Sequence, residues 1–175
     1  VEGELGKIEG VEDNVSSKYS VLTNPIDALN FINKTGVDSL AVSIGTSHGA
    51  YKFKGESKLE IELLNKINKT VNNFPLVLHG ASSVNEILVE NFKKVGGDLG
   101  AAHGVDDKSI TNAINNGICK VNVDTDLRIA FTTGVKNSLK NPENFNLRDY
   151  LSLGMEVMQK MVENRIDLFN NGVEI

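Results

Sequence analysis

The chain has one cysteine, no tryptophan and three prolines in 175 residues. A single thiol, Cys119, excludes an internal disulfide and any cysteine-rich zinc site. Its place in the run Gly117-Ile118-Cys119-Lys120-Val121 predicts a packed, unreactive side chain. Basic charge is also scarce: 18 lysines and arginines face 23 acidic residues, for a net charge of -5. The clustered cations that bind a nucleic-acid backbone are therefore missing, which excludes nucleic acid as a general partner. No apolar run approaches the roughly 18 residues of a membrane span, and no basic start precedes an apolar stretch. Neither a membrane segment nor a secretory signal is written here, and a cytoplasmic enzyme is the expectation.

What is present is ordinary globular material, 40% hydrophobic and 23% charged, enough for the core of one domain. The chain opens without Met on Val1-Glu2-Gly3-Glu4-Leu5-Gly6, an alternating run that reads as a strand already under way. An acidic, glycine-containing segment from Lys7 to Ser17 reads as a loop. Thr23-Asn24-Pro25 starts a helix that runs to about Lys34 and stops at Gly36. Val37 to Ile44 is a buried strand, Gly45 to Leu59 a loop, Glu60 to Asn72 an amphipathic helix and Phe74 to Leu78 the next buried strand. Val84 to Val95 is helical, a glycine-rich insertion covers Gly96 to Gly104, and Asp106 to Asn115 is a short helix ended by Gly117. Ile118 to Val123 supplies a fourth strand, followed by helices from about Asp126 to Leu139 and from about Leu147 to Phe169. On the last, Met155, Val157, Met158, Met161 and Val162 form a stripe that suits either an oligomer contact or packing on the domain itself.

Four strand-helix units with nearly continuous apolar strands imply an α/β fold with a parallel sheet covered by helices, either open and doubly wound or closed as a (β/α)8 TIM barrel. Every polar cluster lies just past the C-terminal end of a strand, and neither Gly-x-Gly-x-x-Gly nor a Walker sequence occurs. That placement favours the barrel, of which four units are half.

Two of those clusters carry histidine followed by glycine: Ile44-Gly45-Thr46-Ser47-His48-Gly49 and Leu76-Val77-Leu78-His79-Gly80-Ala81-Ser82. The two histidines stand 31 positions apart, so they share a site only if a fold sets their strand ends side by side. Imidazole suits zinc, and a catalytic zinc site has three protein ligands and one open position. His103, in the glycine-rich insertion, reads as a solvated loop residue. No strand ends in a lysine, which argues against Schiff-base chemistry.

Gly45-Thr46-Ser47-His48-Gly49 with Lys52, then Leu78-His79-Gly80-Ala81-Ser82, then Asn122-Val123-Asp124-Thr125-Asp126 resemble the signature loops of class II, zinc-dependent ketose-bisphosphate aldolases. The opening Val1 to Gly6 and the pair Glu12-Asp13 resemble that family too, and the order holds over the whole chain. The resemblance implies the fifth to eighth strands of a (β/α)8 barrel, with residues 1-175 as the C-terminal part of one barrel domain whose N-terminal half is missing. It implies Zn²⁺ held by His48, His79 and a third histidine in that missing half, next to a catalytic aspartate. Glu4 matches a carboxylate at a second or resting metal position, and a second divalent or a monovalent cation has a place in such a site. Glu12 matches the base that removes a proton from dihydroxyacetone phosphate. Gly49, Gly80, Ala81 and Ser82 match a phosphate cradle closed by Asp124 and Thr125, with Lys52 on the same phosphate. Asn122, followed by Val123, would meet the substrate carbon chain, and Arg128 the distal phosphate.

The implied reaction is reversible cleavage of fructose 1,6-bisphosphate, in glycolysis and gluconeogenesis, by a homodimer or homotetramer. This half alone is expected to be inactive. Tagatose-bisphosphate aldolase shares the signature, and a non-catalytic half-barrel or a sugar-phosphate binding module remain alternatives from another class.

Overall fold

The computed structural model describes residues 1–12, 15–17, 21–48, 59–100, 102 and 104–170, with backbone alone for 9–12, 15–17 and 47–48. Its centre is a parallel sheet of four strands: β1 (Glu2–Leu5), β4 (Ser39–Val42), β6 (Leu76–Leu78) and β7 (Ile118–Val121), lying side by side in that order. Leu40, Ala41, Val42, Leu76, Val77 and Leu78 are all buried, as expected of strands covered on both faces. Leu40, Val42, Leu76 and Leu78 pack with Leu64 and Ile67 of α2 (Ile61–Thr70) and Ile110 of α4 (Asp107–Asn115). Side chains alternate along a strand, so the other face carries Glu4, Ala41, Val77 and Lys120, which the register sets in one row across the sheet.

That second face is concave. β1 and β7 are the sheet's two edges, and in a flat sheet three inter-strand gaps would hold them roughly 14 Å apart. Glu2 on β1 and Lys120 on β7 nevertheless meet at 2.8 Å, with His79, just past β6, on the same carboxylate. Side chains standing on a flat sheet would not converge so; on an arc of a barrel they do.

Local sequence explains the helix ends. Asn24 caps α1 (Pro25–Thr35) by accepting from the N–H groups of Ile26 and Asp27, with Pro25 in the first turn and Gly36 closing the helix. Asn85 caps α3 (Glu86–Lys94) and Asp106 caps α4 in the same way. Burial raises the Asp106 carboxyl's pKa, but the hydroxyl and N–H of Ser109 together with the N–H groups of Asp106 and Lys108 outweigh it and leave the group below its ordinary value. The last two helices, α5 (Thr125–Ser138) and α6 (Leu147–Phe169), pack through glycines: a Cβ on Gly134 would lie 2.5 Å from the Leu153 carbonyl oxygen.

Three expectations need correction. The segment from Lys7 to Ser17 is not a loop but contains β2 (Glu9–Glu12) and β3 (Val15–Ser17), paired antiparallel. The expected loop from Gly45 likewise contains β5 (Ser47–His48), which pairs in parallel with β2. These strands are only two to four residues long, Glu-Gly-Val-Glu, Val-Ser-Ser and Ser-His, too short and too polar for an apolar alternation, so only pairing to a neighbour reveals them. Cys119 is exposed rather than packed, because β7 takes an irregular step there: Leu76 and Val77 face Ile118 and Lys120, leaving Cys119 as the extra residue on an edge strand.

The stripe on α6 divides: Met161 is buried and Val157 packs on the second core cluster, whereas Met155 is exposed. Among the described residues, no helix is long and apolar enough to cross a membrane.

One contact sets the loop after His79. Gly104 donates to the Ser83 carbonyl, and Val105 to that of Ser82. A Cβ on Gly104 would lie 1.9 Å from the Ser82 carbonyl oxygen and 2.8 Å from the Ser83 carbonyl carbon. Backbone on both sides leaves nothing flexible to yield, so Gly104→Ala is expected to cost about 3 kcal/mol of stability. Urea unfolding measures this, and an unchanged midpoint would show that the two segments can part without loss.

Candidate functional site

His79 follows β6 directly and sits among the side chains of β1. Its Nε2 lies 2.9 Å from Glu2 Oε1, and its Nδ1 3.6 Å from Glu4 Oε2. Glu2 and Glu4 are two residues apart on one strand, so both point to the concave face. Lys120 donates to the other oxygen of Glu2 at 2.8 Å. That hydrogen bond is the main cause holding the Glu2 carboxyl below its ordinary pKa; partial burial opposes it, and His79 adds to it.

Where Nε2 donates to Glu2, an unprotonated Nδ1 turns its lone pair toward Glu4. A lone pair facing a carboxylate is unfavourable unless a proton or cation stands between them. A carboxylate that fixes the far nitrogen of a metal-ligating histidine is a common supporting arrangement. In donor chemistry, His79 and Glu4 therefore fit a zinc ion. Among the described residues, however, no group of three or more His, Cys, Asp or Glu side chains gathers in a form that could hold one.

The other expected ligand and the expected base are placed by their backbones. His48 ends β5, six residues past the end of β4, so it and His79 follow neighbouring strands of the sheet. The pairing of β2 with β5 sets Gly10 opposite His48, and Glu12 ends the same strand two residues on. Glu12 therefore lies on paired backbone, opposite Val15, rather than in the loop expected of it. The Asn122 N–H donates to the Leu78 carbonyl at 3.0 Å, which places Asn122 and then Val123 beside the start of the His79 loop.

The described residues expected to hold a phosphate come together where that loop meets the start of α5. Ser82 Oγ accepts from the N–H groups of Asp124, at 3.3 Å, and Thr125, at 3.1 Å. This is the positive end of the helix, where an anion is favoured. Gly80 is half-buried, and Ala81 and Ser82 are buried beneath it. Arg128 stays close by through its ion pair with Asp124 at 2.9 Å. Gly49, Lys52 and His103 lie outside the described residues.

Five residues escaped the sequence reading. Glu2 and Lys120 support His79, while Asp126, Ser83 and Arg165 hold the loop from below. The Asp126 carboxylate is fully buried and accepts from the N–H groups of Ser83 and Val84 at 2.9 and 2.8 Å. Glu2 had a signal, the period-two pair with Glu4; Arg165 had none, because a lone arginine near the end of a helix reads as surface.

Residues 1–172 match the model of the family described as fructose-bisphosphate aldolase class-II. A fructose-bisphosphate aldolase of Thermus caldophilus is 48% identical over 174 residues, covering 98% of this chain and 57% of that protein. Those of Helicobacter pylori and Giardia intestinalis are 43% and 44% identical, covering 100% and 98% of this chain and 58% and 53% of theirs. The chain thus spans about half the length of the curated relatives it matches. Among solved structures, an aldolase of Escherichia coli superposes with a TM-score of 0.67 at 27% identity, over 96% of this chain and 47% of that one. The fructose-bisphosphate aldolase of Campylobacter jejuni gives 0.60 at 26% identity, over 85% of this chain and 44% of its own.

Proposed function

Because this chain belongs to the class II fructose-bisphosphate aldolase family, we propose that it carries the C-terminal half of an active site for reversible, zinc-dependent cleavage of fructose 1,6-bisphosphate. The products are dihydroxyacetone phosphate and glyceraldehyde 3-phosphate. The observation that carries the proposal is His79, anchored at Nε2 by Glu2 and turning Nδ1 toward Glu4. Residues 1-175 then form the later part of one barrel, and the remaining histidine ligand and the aspartate for the aldehyde oxygen come from outside this chain. A homodimer or homotetramer is the proposed assembly of the whole enzyme.

The proposal gives each residue a task. His48 and His79 hold zinc, with Glu4 at an alternative metal position; when bound, the ion supplies Lewis acidity to the ketone carbonyl. Glu12 removes the proton alpha to that carbonyl in dihydroxyacetone phosphate and returns it in the cleavage direction. Gly49, Gly80, Ala81 and Ser82, with Asp124 and Thr125, orient one phosphate at the start of α5, and Lys52 adds a cation to it. Arg128 offers a planar fork to the distal phosphate, and Asn122 with Val123 lies along the carbon chain.

The initial rate of fructose 1,6-bisphosphate cleavage tests the whole reading. It should be measured for this chain alone and joined to an N-terminal half of a relative, with and without EDTA and with zinc restored. Cleavage by the joined protein that EDTA removes and zinc restores is the expected result, with this chain silent alone. Cleavage that EDTA leaves untouched would overturn the zinc assignment, and no cleavage in any combination would leave only common ancestry.

A further inference from the structure

The loop from Gly80 to Asn85 is held in a conformation its residues would not choose. Gly80 has φ 64°, and Val84, a β-branched residue, has φ 44°, a left-handed conformation that is rare and strained for such a side chain. Strain of this kind persists only where the surroundings over-determine it. Asp126 takes the N–H groups of Ser83 and Val84, while Gly104 and Val105 take the carbonyls of Ser83 and Ser82. The remaining hold comes from the C-terminal helix. Arg165 Nη1 donates to Ser83 Oγ at 3.3 Å and to Asp107 Oδ1 at 2.7 Å, and Nη2 donates to Asp107 Oδ2 at 3.3 Å.

Arg165 is 6% exposed, and its Nε is buried without a partner among the described residues. A desolvated guanidinium with one carboxylate and an orphaned N–H is a poor source of stability, and an apolar side chain of similar volume would serve the core as well. The planar fork does fix direction: two hydrogen bonds to Asp107 set the plane, and the same Nη1 then points at Ser83. The peptide plane linking Ser82 to Ser83 transmits that placement to Ser82, whose hydroxyl meets the start of α5.

We infer that Arg165 is a positioning residue for the phosphate cradle, acting through Ser83 to hold Gly80, Ala81 and Ser82 against the start of α5. It touches no substrate. The inference rests on the cradle assigned above, and it adds that the C-terminal helix decides how well that cradle is formed.

The test compares Arg165→Met, Arg165→Lys and Ser83→Ala in the active assembly with its N-terminal half. Arg165→Met is expected to raise KM for fructose 1,6-bisphosphate about tenfold with kcat within about threefold, as loss of uniform phosphate binding requires. Arg165→Lys, which keeps the charge and loses the fork, falls between. Ser83→Ala removes the hydroxyl that accepts from Arg165 and donates, at 3.5 Å, to Asp126, but keeps the Ser83 N–H on Asp126; it raises KM in the same direction, and decides the matter if Arg165→Met does not fold. A purely structural Arg165 would lower Tm and leave KM unchanged in every folded variant, which overturns the inference.

A second readout needs no turnover: the amide signals of Gly80 and Ala81 in zinc-free protein titrated with inorganic phosphate. Those of the parent protein should shift and saturate, and those of Arg165→Met should need about ten times more phosphate. If the parent signals shift and the variant saturates at the same concentration, the role of Arg165 falls and the cradle stands. If the parent signals do not move, the cradle falls and the inference with it.

Discussion

Glu12→Gln is expected to lower kcat for fructose 1,6-bisphosphate cleavage by about 10²–10⁴-fold, the range for removing a positioned general base, with zinc content unchanged. The substitution keeps the size of the side chain and removes its capacity to accept a proton. A proton alpha to a ketone is weakly acidic, so its removal needs a carboxylate within hydrogen-bond reach at the moment of transfer. The backbone sets Glu12 on the strand that pairs with β5: Gly10 lies opposite His48, and Glu12 is two residues farther along the same strand, about 7 Å at the rise of a β-strand. Exchange of the alpha proton of dihydroxyacetone phosphate with solvent separates this step from carbon-carbon cleavage and should fall in parallel. Retained exchange in Glu12→Gln would assign the base to another residue.

His79→Ala is expected to abolish zinc-dependent turnover and to leave the protein unable to hold zinc against a chelator. A site designed for three ligands and an open position binds weakly with one ligand gone. Glu2→Gln should come between: the amide can still accept at Nε2 but lacks the charge that makes the ring a better donor, and loss of such a supporting carboxylate typically weakens metal affinity 10–100-fold. Zinc titration in competition with a chelator measures both, with circular dichroism as the check on folding. Equal zinc affinity in parent and His79→Ala proteins would remove His79 from the metal site and make its contact with Glu2 a structural one.

The helices were the most legible part of the chain. Asn24-Pro25, Asp106 and the stripe from Leu147 to Phe169 carry their own start signals and periodicity, and the structure places helices there. The short strands around Glu12 and His48 were not legible, since Glu9–Glu12 and Ser47–His48 have no pattern of their own and exist by pairing with each other. The Cys119 expectation failed for a similar reason: an apolar run says that a strand is buried, not that one of its residues drops out of register at an edge.

The candidate site divides along the same line. The residues proposed for the chemistry were legible locally, in the His-Gly pairs after apolar strands and in the Asn-Val-Asp-Thr-Asp run that opens α5, because ligand type and strand-end position are properties of a few consecutive residues. What His79 meets was decided only in three dimensions, where Glu2 and Lys120 come together from the two edge strands of the sheet. The hold of Arg165 on Ser83 spans 82 positions. Curvature of the sheet and the docking of the last helix bring these groups together, and neither leaves a mark in the spacing of residues along the chain.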